Sequence, residues 1–165
     1  MHLNVPELER HGAELVLRGH HPFTVAQGLQ VALLADLCNQ CGNCAGFCPT
    51  RGRPFHDKPR LYLSRAELEE ERDNAFRVVR GSGTLAVEAR FAGETHELSL
   101  GDELRYRSPA VEAVLDPESF ALRAATPRGA GGEGEALSLE QCAIMLTVLR
   151  SVGQLAPWLP CAEPG

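Results

Sequence analysis

Lysine is nearly missing from the chain: Lys58 stands alone beside fifteen arginines in 165 residues. A bias of that kind reads as genome composition, and no chemistry is built on it. Positive charge is also in deficit overall, with a formal net charge of -6. That argues against binding nucleic acid through phosphate neutralisation. No apolar stretch is long: "VALLA" and "CAIMLTVL" fall far short of the ~20 residues a membrane helix needs. The N-terminus, "MHLNVPELERHGAELVL", lacks the basic start and apolar run of a signal peptide. No G-x-G-x-x-G opens a helix after a strand, and no Ser-His-Asp set or paired-carboxylate motif stands at a recognisable spacing. The expectation is a cytoplasmic protein without a membrane span. In that reducing setting, clustered cysteines serve as metal ligands more often than as disulfides.

What the chain does have is a globular balance of 44% hydrophobic and 23% charged residues, enough for one modest core. It also has "CNQCGNCAGFCPTRGRPFHDKP" at residues 38–59. Cys38, Cys41, Cys44 and Cys48 are spaced C-x2-C-x2-C-x3-C and followed by Pro49, the bacterial-ferredoxin spacing for a [4Fe-4S] cluster. Two-residue gaps let a tight loop offer three thiolates to one cubane. Gly42 and Gly46 would bring amides near the sulfides, and Pro49 would turn the chain away. Structural zinc favours two separated cysteine pairs, and no second pair exists here. A redox C-x-x-C dithiol would leave four cysteines plus a proline unexplained. The fourth ligand stays open. Cys48 can close the local site, or Cys142 or Cys161 can do so while Cys48 serves a cluster on a partner chain. Cys142 lies on an apolar helical stripe and suits core packing; Cys161 sits in an irregular tail.

Along the chain, "AELVL" reads as a short strand closed by Gly19. Thr24 and Gln27 form a capping box, and Val25, Leu29, Ala32 and Leu33 continue at helical spacing, which predicts a helix over 25–37. "RLYLS" is a short strand, and Ser64 with Glu67 caps an exposed acidic helix. From Phe76 the period becomes twofold in "FRVVR", "TLAVEARF" and "THELSL", with Ala92-Gly93 as a tight hairpin turn. "FALRAAT" adds a strand. "PRGAGGEGE" reads as a flexible linker. A final helix starts at the Ser138–Gln141 capping box, carries apolar residues at 142, 145, 146, 149 and 152, and stops at Gly153. The fold class expected is α+β: a helix plus ferredoxin-type cysteine loop, a small antiparallel β-sheet and a C-terminal helix. The divisions are 1–63 (N-terminal segment, helix and cluster loop), 64–126 (acidic helix and β subdomain), 127–136 (linker) and 137–165 (helix and tail).

The stretch "LADLCNQCGNCAGFCPTRGRPFHDKPRLY" resembles the cysteine segment near the C-terminal end of selenate reductase iron–sulfur subunits. These are large flavoproteins similar to the glutamate synthase small subunit and dihydropyrimidine dehydrogenase. The likeness lies in C-N-x-C-G-N-C-x-x-F-C-P and the following Phe55, Asp57 and Lys58, and covers roughly residues 30–100. It implies cluster ligation by Cys38, Cys41, Cys44 and Cys48, with flavin and nicotinamide functions on another polypeptide.

Other candidates have plainer readings. His20-His21 suits a solvated turn better than a metal pair. Arg51, Arg53, His56 and Lys58 form a basic patch that either docks an acidic electron carrier or is ordinary loop solvation. Phe47 and Phe55 would shield the cluster from water. Together these features predict a non-catalytic electron-transfer subunit. It would pass single electrons to or from a flavoprotein or other redox protein partner, with homo-oligomerisation open. The alternative is an interaction module whose cluster or zinc only stabilises the fold.

Overall fold

Alternation decides the N-terminus. In the computed structural model, which describes residues 1–26, 31–48, 52–81 and 84–155, β1 (His2–His11) buries Leu3, Val5 and Leu8 and exposes His2, Asn4 and Glu7. A bulge between Glu7 and Leu8 shifts the register, so that Leu8 and Arg10 face inward as Leu3 and Val5 do. β1 pairs with β2 (Glu14–Thr24), which runs through Gly19 rather than ending there.

The chain then enters a second sheet at its edge, with β3 (Leu33–Leu34), a single 3-10 turn (Ala35–Leu37), α1 (Asn43–Phe47), α2 (Pro54–Asp57) and β4 (Arg60–Leu61). α3 (Arg65–Glu70) leads into β5 (Ala75–Arg80), β6 (Leu85–Phe91), β7 (Glu94–Leu100), β8 (Leu104–Arg107), β9 (Val111–Leu115) and β10 (Leu122–Pro127). β11 (Ala136–Ser138) adds to β1, and α4 (Glu140–Leu155) closes the described chain. The result is a three-stranded sheet, β11-β1-β2, and an eight-stranded sheet, β10-β9-β8-β7-β6-β5-β4-β3. The second is mixed, because β3, β4 and β5 pair in parallel while the others are antiparallel.

One core joins these layers. The helical stripe Cys142, Met145, Leu146, Leu149 and Val152 is buried against Phe76, Val87, Ala89, Leu98 and Tyr106 of the sheet and Leu3, Val5 and Leu8 of β1. Met145, Leu146 and Leu149 have no exposed surface, each worth roughly 1.5–3 kcal/mol of burial. Within the core, Phe76 meets Phe91 edge-on at 5.7 Å, and Phe91 meets His96 at 5.1 Å. His96 Nδ1 and Tyr106 Oη share a 2.6 Å hydrogen bond. Burial holds the His96 imidazole down at about 4, below its ordinary 6.5, with Arg90 adding to the effect.

Arg10 fastens the two sheets together. Its side chain is almost wholly buried and donates to the carbonyls of Ala110 (3.2 Å), Arg128 (2.9 Å) and Gly129 (3.3 Å). Its Nε lies 3.1 Å from Glu135 Oε2, in a direction too bent for a hydrogen bond, so this attraction is ionic. The main chain joins in, with Arg10 N–H donating to Glu135 and Gly134 N–H donating to Arg10. The glycine-rich stretch expected as a flexible linker is thus wrapped around a guanidinium. A Cβ at Gly131 would fall 2.0 Å from Glu135 Oε2 and 2.5 Å from the Arg10 guanidinium, so glycine is needed there for close approach.

The expected fold class needs correction. The chain is α+β, but it is built on a large eight-stranded mixed sheet, not on a small antiparallel sheet with a ferredoxin-type loop. The expected helix over 25–37 is replaced by β3 and the 3-10 turn, and its residues 27–30 lie outside the described residues. Pairing of Leu33 with Arg60 and of Leu34 with Leu61 overrides a helical spacing carried by only a few residues. The Ser64 cap is present, accepting from Glu67 N–H. At α4, Ser138 Oγ accepts from Glu140 N–H, and the helix continues through Gly153. The hairpin turn at Ala92-Gly93 has both residues at positive φ, 53° and 84°, as a two-residue I′ connection requires. Among the described residues no helix is long and apolar enough to cross a membrane.

Three outcomes are expected from these contacts. Replacing Arg10 by Ala strands three part-buried carbonyls and the Glu135 carboxylate, and should lower urea-unfolding stability by about 2–4 kcal/mol. Gly131→Ala should destabilise in the same direction. Stability should also fall with acidity through His96: between pH 6.5 and about 4 the unfolded imidazole binds a proton that the folded one refuses. The full loss, about 3 kcal/mol, is complete below pH 4, and its slope should flatten in His96→Gln.

Candidate functional site

The cysteines lie on the crossover that joins the parallel neighbours β3 and β4. Such crossovers are ordinarily one continuous helix; the described residues of this one hold three short helical pieces instead, at 35–37, 43–47 and 54–57. Asp36 anchors its start, since Oδ2 accepts from Leu63 N–H at 3.0 Å. Cys38 follows the 3-10 turn, and its sulfur accepts from Gln40 N–H at 3.3 Å. Asn39 Oδ1 accepts from Cys41 N–H at 3.2 Å, an Asx turn that holds Gln40 at φ 53°. Gly42, at φ 81°, then starts α1. Cys41 and Cys44 are exposed, whereas Cys38 and Cys48 are half-buried.

Farther along, Arg53 N–H donates to Asp57 Oδ2 at 2.7 Å, and His56 Nδ1 lies 2.7 Å from Asp57 Oδ1. The Arg53 N–H, with the His56 imidazole next, holds the Asp57 carboxyl below the usual carboxylate range. Arg53 also lies 3.7 Å from Asp57 and sits over the Phe55 ring at 5.8 Å. Two members of the expected basic patch are therefore answered by one carboxylate inside the segment. Arg51 and Pro49 lie outside the described residues, as does Cys161.

A polar cavity of about 310 Å³ opens behind the segment, with Asp36, Cys38, Arg60, Tyr62, Glu67 and Glu71 in its wall. Arg60 spans 2.9 Å to Glu71 Oε2 and donates to Asp73 O. Tyr62 Oη donates to Glu71 Oε1 at 2.6 Å, and burial followed by that bond pushes the phenol up. Asp36 and Glu67 act on each other. Burial pushes Asp36 up, but hydrogen bonds from the Glu67 carboxyl and the Leu63 N–H outweigh it and leave Asp36 below the usual range. Glu67 is raised by its hydrogen bond to Asp36 and by that carboxylate's charge. This pair was missed by sequence reasoning, because 31 positions separate residues that only the β3-β4 pairing brings together.

The expected metal centre does not fit. Among the described residues no three His, Cys, Asp or Glu side chains come together as a group that could hold a metal ion. A cubane needs the loop wrapped so that all four sulfurs turn inward. Here an Asx turn and a five-residue helix spread them between solvent and the half-buried base. The structure gives no basis for a [4Fe-4S] cluster, and the electron-transfer role expected from it falls; nor does it give one for a cluster or zinc that stabilises the fold in the alternative reading. Phe47, expected to shield a cluster, is 90% exposed. Cys142 is fully buried in the core, as its apolar stripe implies. His20 and His21 lie on β2, where His21 Nδ1 meets Glu7 at 3.2 Å.

No family model matches the chain, and no solved structure matches it. The chain is similar to "Putative oxidoreductase YgfK" of Escherichia coli strain K12 and to the protein of the same name in strain O157:H7. In each case it is 39% identical over 49 residues, which is 30% of this chain. The match covers only 5% of either relative. The resemblance to iron–sulfur subunits of selenate reductase is thereby corrected to a partial likeness to an oxidoreductase, without a ferredoxin-type site.

The coupling of Asp36 to Glu67 is open to test. In Asp36→Asn the Glu67 carboxyl loses the charge that raises it, so it should titrate lower, toward the ordinary glutamate range. Carboxyl-carbon NMR across a pH series would show this, and an unmoved Glu67 would disprove the pairing.

Proposed function

We propose that the chain is a docking module for a redox protein, flavin-containing or otherwise, with the β3-β4 crossover as its contact surface. One observation carries this reading. Leu37 is 80% exposed and Phe47 90% exposed; the other exposed large hydrophobics, Met1, Val16 and Leu17, stay between 37% and 45%. Both extremes fall on the same segment, beside the exposed thiols of Cys41 and Cys44. Large apolar side chains offered on either side of the exposed thiols suit anchors that bury in a partner. The partial likeness to an oxidoreductase supports a redox protein as that partner.

The test is site-specific photo-crosslinking in the native host. A photoreactive residue at position 37 or 47 should capture a redox enzyme that the same residue at Val16, on β2, does not. With that enzyme purified, Leu37→Ser and Phe47→Ser should each weaken binding by about ten-fold or more and leave the melting temperature unchanged. Equal capture from all three positions, or capture of a protein without redox chemistry, would overturn the reading.

A further inference from the structure

The cysteine segment sorts its thiols into two kinds. Cys38 and Cys48 are half-buried at the base, while Cys41 and Cys44 stand exposed at the tip. Cys38 shares its cavity wall with Asp36, Glu67, Glu70 and Glu71, against one cation, Arg60, which Glu71 already pairs. Those carboxylates would repel the anionic sulfur that thiol exchange passes through. Cys41 and Cys44 are free of that wall and are separated by only two residues. Between them the chain bends sharply, at Gly42 with φ 81° and through Ala45 N–H donating to Gly42 O at 3.0 Å. The C-x-x-C spacing across that bend is the one on which exchanging dithiols are built. A four-cysteine spacing that a dithiol could not explain as one unit is explained once only two of the four are exposed.

We infer that Cys41 and Cys44 form an exchanging dithiol that reduces a disulfide of the docked redox protein. One thiol loses its proton to solvent, and its thiolate attacks a sulfur of the partner's disulfide. A bond between the chains forms and one partner thiolate leaves. The second cysteine, likewise deprotonated, attacks the first one's sulfur, closes the Cys41–Cys44 disulfide and releases the other partner thiolate. Two electrons pass to the partner, and the two protons released here balance those taken up there. Leu37 and Phe47, on the same crossover, hold the partner over the pair. The identity of the disulfide donor rests on the docking reading, but the dithiol itself is testable without a partner, so the two can fail separately.

The full chain, reduced and then equilibrated anaerobically in glutathione buffers of graded ratio, is the system to measure. Two thiols should disappear together in a single two-electron transition, and peptide mapping should find Cys41 linked to Cys44. Cys38→Ser and Cys48→Ser should leave that transition in place. Cys41→Ser should instead carry glutathione on Cys44. In the reduced chain, alkylation at Cys41 and Cys44 should outpace that at Cys38 by about ten-fold or more. A dominant link between Cys38 and Cys48, glutathione adducts without an internal disulfide, or uniform alkylation rates would overturn the inference.

Discussion

The placement of the whole N-terminal sheet turns on the Arg10 guanidinium. Burying a charge costs several kcal/mol unless it is met from all sides. The chain meets this one with carbonyls from the β8-β9 turn and from the stretch after β10, and with the Glu135 carboxylate. Every one of those partners lies at least a hundred positions away along the chain. Because β11 must lie close enough for Glu135 to reach, β1 is clasped on its outer side as well as by β2. Its apolar residues then have nowhere to go but onto α4 and the large sheet.

That clasp has an effect at the other end of the molecule. With β1 fixed, α4 is pinned over β5, β6 and β7, and β5 becomes a rigid rail. β4 and then β3 add to it in parallel, two residues apiece. Arg77 reinforces the rail by donating to Glu88 at 2.9 Å and to Leu63 O at 3.2 Å. The cysteine segment hangs from that narrow parallel edge. Its ends are therefore set by the core, while α1 buries no residue and is entered through the Asx turn at Asn39 and the bend at Gly42.

Legibility in the sequence followed the range of the contacts. α4, the Ser64 cap and the β5-β6-β7 hairpins could be read because their signals are local: a helical stripe, a side chain reaching three residues on, a two-residue turn. β1 was obscured by Pro6 and by charged residues whose inward or outward sense flips at a bulge. β8 was hidden by its four-residue length. The glycines after β10 look like slack, yet Gly131 is dictated by an arginine on a different sheet. The cysteine spacing was the loudest signal and the most misleading one. Spacing states which sulfurs could share a centre; the turns decide which do, and those turns depend on Asn39, Gly42 and Asp57 as much as on the cysteines.

The parallel edge has an architectural consequence. Since the segment leaves by β3 and returns by β4, the body treats it as an insert between two fixed posts. Between those posts the described α1 buries no residue, so its sequence is not dictated by the packing of α4 or by the Arg10 clasp. Selection could therefore rewrite what this edge displays (thiols, aromatics or charge) at a pace independent of the scaffold.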